Sequence, residues 1–203
     1  AVRKADRVLT DTKSMAQLVA ARYRLPANKM AVVPLAIDRE RFSAARDSED
    51  EGMVAAVGAR PPYLLWVGTV LERRLPREVL TAFAALRERY PDLQLVIAGA
   101  NRLRAPGRLA QWVREMGLDG SVVLPGWVAE GALAPLYRLA DLGIYVSRHE
   151  GFGIPPLECL ACGTPVMVSR GLALDELRQE STQNTTGNYQ VLDVLAALLS
   201  AIV

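Results

Sequence analysis

Five short aliphatic runs, at residues 63–67, 93–98, 122–124, 143–146 and 165–168, constrain this chain more than any other feature. Each is too short for a helix and nearly continuous in hydrophobicity, the pattern of strands buried on both faces. The intervening segments carry helical spacing instead. Residues 76–90 place Val79, Phe83, Leu86 and Tyr90 on one face, with Pro76 suited to a first helical position and Pro91 to a stop. Residues 108–116 do the same with Leu109, Trp112, Val113 and Met116, and residues 130–140 with Leu133, Leu136, Tyr137 and Ala140. This alternation predicts an α/β fold, a doubly wound parallel sheet of Rossmann-like kind. Upstream, residues 5–33 read as a strand, a capped helix over 14–23 and a second strand.

At ~150 residues per domain, the 203 residues correspond to one full domain plus a fragment. A hydrophobic share of 51% with 23% charged residues excludes disorder as the main character. The net charge of +2 provides no field to gather nucleic acid, so no nucleic-acid partner is expected. The longest apolar stretch, 194–203, falls short of the ~20 residues a membrane span needs. The opening residues have neither an initiator Met nor a signal-peptide core, so the chain is expected to be a piece of something longer. Two cysteines, Cys159 and Cys162, make no disulfide framework and fit a reducing compartment. Beyond Lys29 every fixed positive charge is an arginine. Residues 43–60, with the acidic run Asp47-Ser48-Glu49-Asp50-Glu51, read as linker or solvated surface loop. Residues 181–203 read as a divergent loop followed by an apolar helix from Val191; the sequon at Asn184 lacks a secretory context.

The densest chemistry is His149-Glu150-Gly151-Phe152-Gly153-Ile154-Pro155-Pro156-Leu157-Glu158. It follows the fourth sheet strand, at the carboxyl end where open α/β sheets bind ligands. Pro155-Pro156 can open a helix without losing a needed N–H, and the glycines before them let backbone approach a ligand. A helix amino end of this kind suits a phosphate. Carboxylates on either side, Glu150 and Glu158, suit the hydroxyls of a ligand that extends both ways from a diphosphate. Cys159-Leu160-Ala161-Cys162 reads as core packing rather than a redox pair, and one histidine with two cysteines does not complete a zinc site. His149 is open between a ligand contact and loop structure, and Trp127 between a ligand contact and packing. Gly151-Phe152-Gly153 lacks the third glycine of a dinucleotide fingerprint.

Glu150 and Glu158, spaced as E-x7-E, resemble the signature of retaining GT-B glycosyltransferases, the glycosyl transferases group 1 family. Further landmarks stand in the family's order: Ala5-Asp6-Arg7-Val8, Val32-Val33-Pro34-Leu35-Ala36-Ile37-Asp38, Leu65-Trp66-Val67-Gly68-Thr69, Val96-Ile97-Ala98-Gly99 and Cys162-Gly163-Thr164-Pro165-Val166. The resemblance covers residues 5–177. It implies the C-terminal half of a GT-B fold, with residues 1–42 a remnant of the N-terminal acceptor domain and its connection, and 61–180 the donor-binding domain. It implies that Glu150 contacts the transferred sugar and that Glu158 binds the ribose. Arg73 and Arg74 would hold the diphosphate where the family has Arg-Lys; an arginine can do this as a wider fork. Leu75 stands where the family often has a polar residue.

Gly68, Thr69, Gly151, Phe152, Gly153 and Ile154 would line the donor, and Gly126, Trp127 and Val128 would reach the base. No Asp-x-Asp occurs, so no metal cofactor is expected. The substrate would be a nucleotide diphosphate sugar and the partner an unidentified sugar or lipid-linked acceptor. The expected location is the cytoplasm, with peripheral contact at the inner membrane face through the missing N-terminal domain. With little of the acceptor domain present, the chain is expected to bind donor without transferring it. Two rival readings are a non-catalytic nucleotide-sugar-binding or scaffolding module and a nucleotide-sugar epimerase of related fold.

Overall fold

The computed structural model describes residues 2–105 and 107–169. The expected loop at 181–188, the helix from Val191 and the sequon lie outside the described residues. The elements, in chain order, are β1 (Val8–Thr10), α1 (Lys13–Tyr23), β2 (Met30–Val32), α2 (Asp50–Ala56), β3 (Tyr63–Val67), α3 (Pro76–Arg89), β4 (Gln94–Ala98), α4 (Arg108–Glu115), β5 (Val122–Gly126), α5 (Glu130–Leu139), β6 (Leu142–Tyr145), α6 (Ile154–Ala161) and β7 (Val166–Val168). All five expected sheet strands form, in the order β5-β4-β3-β6-β7, and every pairing is parallel. β1 and β2 make a separate parallel pair beside α1.

The doubly wound arrangement follows from the two-residue period of the strands. Leu64 and Trp66 of β3 face one cluster with Val79, Phe83, Leu109 and Trp112 of α3 and α4. Tyr63 and Leu65 face the other, with Val54, Ala134, Tyr137 and Cys159 from α2, α5 and α6. The central strands β3, β4 and β6 are almost wholly buried, while β5 at the edge is only partly so. Tyr90 departs from expectation: α3 ends at Arg89, and Tyr90 is 45% exposed.

Residues 43–60 also differ from the linker reading. Residues 50–56 form α2, which packs on α5, and within the acidic run Asp50 is buried at 2% exposure. Its carboxylate takes both Nε and Nη2 of Arg138, the Nε contact at 2.7 Å. Arg138 holds that carboxyl below the usual carboxylate range. A buried acid needs such a fork, and the partner is 88 residues away, where no local pattern points to it.

Candidate functional site

The sheet order places the site. From β3 the chain moves outward through β4 to β5, then returns to the other side of β3 for β6 and β7. The helices that follow β3 and β6 pack on opposite faces of the sheet, so the loops leading to them part at this switch point, the place where open α/β sheets bind ligands. The loop after β3 carries Gly68, Thr69, a short 3-10 turn over Glu72–Arg74, and Leu75 in a left-handed conformation (φ 54°). The loop after β6 carries Ser147, Arg148, His149, Glu150 and the glycines before α6.

These two loops are tied by ion pairs. Glu150 Oε1 accepts from Arg73 Nη1 at 2.6 Å and from Arg74 Nε at 3.0 Å. The Glu150 side chain is 8% exposed and that of Arg74 11%, whereas Arg73 is 42% exposed. The expected diphosphate pair thus has two characters. Arg74 is built in: its Nη2 donates to the Tyr145 hydroxyl at 3.2 Å and its guanidinium lies over the Tyr145 ring, 5.1 Å from the centroid. Burial pushes the Tyr145 phenol up to about 12. Arg73 bridges loop and solvent, and its Nη1 also donates to the His149 carbonyl. Ser147, buried beneath, donates to the same carbonyl at 2.9 Å and accepts the His149 N–H at 3.3 Å. His149 itself is exposed and contributes through its backbone.

The floor under the arginines is made of glycine. A Cβ on Gly68 (φ +129°) would lie 2.1 Å from Arg74 Nη1, and one on Gly99 (φ +143°) would lie 2.1 Å from the Gly68 carbonyl oxygen. A side chain on Gly68 would fill the space the guanidinium occupies, and one on Gly99 would collide with the Gly68 backbone. Gly68 donates to the Ala98 carbonyl and Gly99 to the Gly126 carbonyl, so the carboxyl ends of β3, β4 and β5 are stepped together.

Helix α6 starts at Ile154 with Gly153 as its N-cap and no side chain capping it. Of the four amino-terminal positions without an intrahelical acceptor, two are prolines, which leaves the Gly153 and Ile154 amides as donors. Because the helix opens at Ile154, Glu158 is its fifth residue, just past the first turn. Glu158 Oε2 accepts from the Tyr137 hydroxyl at 2.8 Å. Burial raises the Glu158 carboxyl, opposed by that hydrogen bond and by the Arg41 charge. Burial, and next the Glu158 charge, hold Tyr137 well above an ordinary phenol, so it stays a donor.

The structure therefore brings Arg73, Arg74 and Glu150 together, seats Gly151, Phe152, Gly153 and Ile154 between Glu150 and Glu158, and sets Gly126, Trp127 and Val128 two strands away along the same edge. Trp127 is 79% exposed and is not a packing residue. Beside it, a cavity of about 130 Å³ is lined by residues including Gly99, Asn101, Gly107 and Gly126. Cys159 and Cys162 are free and buried, and burial pushes the Cys162 thiol up to about 11 and Cys159 further, so neither is a ready thiolate. Among the described residues no group of three or more His, Cys, Asp or Glu could hold a metal ion. None of their helices is long and apolar enough to cross a membrane.

Sequence reasoning missed Tyr137, Tyr145 and Ser147. The two tyrosines were legible as core, but not the destinations of their hydroxyls. For Ser147 the available signal was a polar residue closing a buried strand just before the Glu150 loop.

This arrangement defines an α/β protein with two arginines and a glutamate paired at the switch point of its sheet. The chain belongs to the glycosyl transferases group 1 family, whose model matches residues 51–188 and so takes in all of α2 but Asp50. It is 33% identical over 180 residues to the D-inositol 3-phosphate glycosyltransferase of Nocardiopsis dassonvillei, covering 83% of this chain and 41% of that protein. It is 28% identical over 173 residues to the mannosylfructose-phosphate synthase of Agrobacterium fabrum, covering 82% and 38%. The chain thus spans about two fifths of the length of these curated relatives. In structure it resembles Anabaena HepE in complex with UDP-glucose, with a TM-score of 0.75 at 19% identity over 87% of this chain and 48% of that one. It also resembles WaaG, a glycosyltransferase involved in lipopolysaccharide biosynthesis, with a TM-score of 0.76 at 19% identity over 95% and 54%. The shared architecture is the C-terminal half of the GT-B fold.

Proposed function

We propose that this chain is the donor-binding half of a retaining glycosyltransferase that takes a sugar from a nucleoside diphosphate. The observation that carries the reading is the cluster of Arg73, Arg74 and Glu150 at the switch point, beside the uncapped amino end of α6. A departing nucleoside diphosphate gathers negative charge as the sugar carbon becomes oxocarbenium-like, and fixed positive groups aimed at that charge lower the barrier. Arg73, Arg74 and the Gly153 and Ile154 amides supply them. Glu150 faces the sugar and Glu158 accepts the ribose hydroxyls, using Tyr137 to hold its orientation. HepE, which binds UDP-glucose, supports a nucleotide-sugar donor. The acceptor is a sugar or lipid-linked hydroxyl held outside this half. The free buried thiols fit a cytoplasmic setting.

Calorimetric titration with UDP, GDP, ADP and their sugars tests the reading, with saturable binding of at least one sugar nucleotide as the expected result. Glu158→Gln should weaken that binding by ~1.5–3 kcal/mol, the range for a hydrogen bond to a charged group. An unchanged affinity removes Glu158 from the nucleotide site.

The same titration addresses the metal. Because two guanidiniums and two backbone amides already neutralise the phosphates, the affinity is expected to be equal with magnesium or with excess chelator. A strict need for a divalent ion contradicts the arginine assignment.

A further inference from the structure

Thr12 lies between β1 and α1, outside the residues the family model matches, yet it touches the loop that carries Glu150. The residue is buried at 3% exposure and its hydroxyl makes two hydrogen bonds. It accepts the Met15 N–H at 3.1 Å, capping α1, and donates to the Gly151 carbonyl at 3.3 Å, 139 residues along the chain. The neighbourhood closes on the same glycine: a Cβ at Gly151 would meet Asp11 Oδ2 at 3.4 Å and Met15 Cε at 3.8 Å. Thr10 Oγ1 in turn donates to the Thr12 carbonyl at 3.2 Å, fixing the turn.

Glu150 consequently sits between two tethered carbonyls. That of His149 is held from the donor side by Arg73 and Ser147. That of Gly151 is held from the other side by Thr12. We propose that Thr12 is a positioning residue for Glu150, through which the β1–α1 segment sets the loop that meets the transferred sugar. This rests on the reading that Glu150 faces that sugar. Thr12 touches no substrate in this account; it limits the backbone freedom of the residue that does.

Three substitutions in the full chain separate this role from helix capping. Thr12→Ser keeps both hydrogen bonds. Thr12→Val keeps the shape and loses both. Thr12→Asp keeps a strong N-cap but has no hydrogen to give the Gly151 carbonyl. Two readouts are taken: hydrogen exchange at the amides of residues 150–153 without ligand, and the ratio of UDP to UDP-glucose dissociation constants. Both Val and Asp variants should speed exchange at 150–153 by ~fivefold and shrink the ratio by a similar factor, with UDP affinity itself within about twofold, as the loss they share, that of the neutral hydrogen bond to the Gly151 carbonyl, implies. The Ser variant should match the wild type on both counts. Unchanged exchange in Thr12→Asp overturns the proposal whatever the ligand does. Failure of the reading beneath it looks different: either wild-type chain shows no preference for the sugar nucleotide, or Glu150→Gln keeps that preference. Equal weakening of UDP and UDP-glucose in the Val and Asp variants would also overturn the proposal, since it would mean a general loss of structure.

Discussion

Gly99→Ala should cost about 3 kcal/mol or more of stability, read as a lower urea midpoint with unchanged slope. Two effects combine. The residue is at φ +143°, which L side chains rarely adopt, and its Cβ would press to 2.1 Å from a backbone oxygen, that of Gly68, which cannot rotate away as a side chain can. The strand end must move, and Gly68 carries the space against which Arg74 lies. Nucleotide affinity should therefore fall alongside stability. A variant that keeps wild-type stability would show that β3 and β4 are not as closely stepped at this end as described.

Arg138→Met should be of similar size, about 3–5 kcal/mol at neutral pH, because it leaves the Asp50 carboxylate buried without its cation. The pH dependence identifies the cause. In the wild type Arg138 depresses the Asp50 carboxyl, so the pair stabilises the fold above the unfolded carboxylate value and the benefit is lost as pH falls below about 4. In the variant, burial without a cation favours the protonated acid, so acidification helps rather than harms. The gap between the two proteins in urea denaturation should narrow from pH 7 to pH 3.5. A gap that stays constant would trace the loss to packing of the Arg138 stem rather than to charge. Replacing both partners with leucine should recover most of the stability, since no buried charge then remains.

Arg138 is also where sequence reading stops. The periodicity of residues 130–140 was legible because a helix face repeats every three to four residues, and the structure buries Leu136, Tyr137 and Ala140 as that spacing predicts. The charge on the same helix has its partner 88 residues upstream in a run that composition reads as solvated surface. Charge tells a reader that a residue prefers water; it does not tell that a fork-shaped partner waits inside. Tyr137 shows a milder form of this limit. Its ring was placed correctly, while the hydroxyl that orients Glu158 depends on how α5 and α6 lie against each other.

The sequence by itself determined the five parallel strands, their helices and the Glu150 loop at a strand's carboxyl end, because hydrophobic period, proline and glycine act over a few neighbouring residues. It also marked Glu150 and Glu158 on either side of a helix start, and the family resemblance added Arg73 and Arg74. Only the tertiary structure decided how they are arranged: Arg74 held over the Tyr145 ring with Arg73 open to solvent, Glu150 shared between them, and Thr12 reaching across 139 residues to the Gly151 carbonyl. The contacts among Arg73, Arg74 and Glu150 follow from strand order, which brings the ends of β3 and β6 side by side, while the Thr12 contact comes from the β1–α1 segment outside that sheet. A hydrogen bond depends on where two atoms meet in space, and no local period along the chain encodes that meeting.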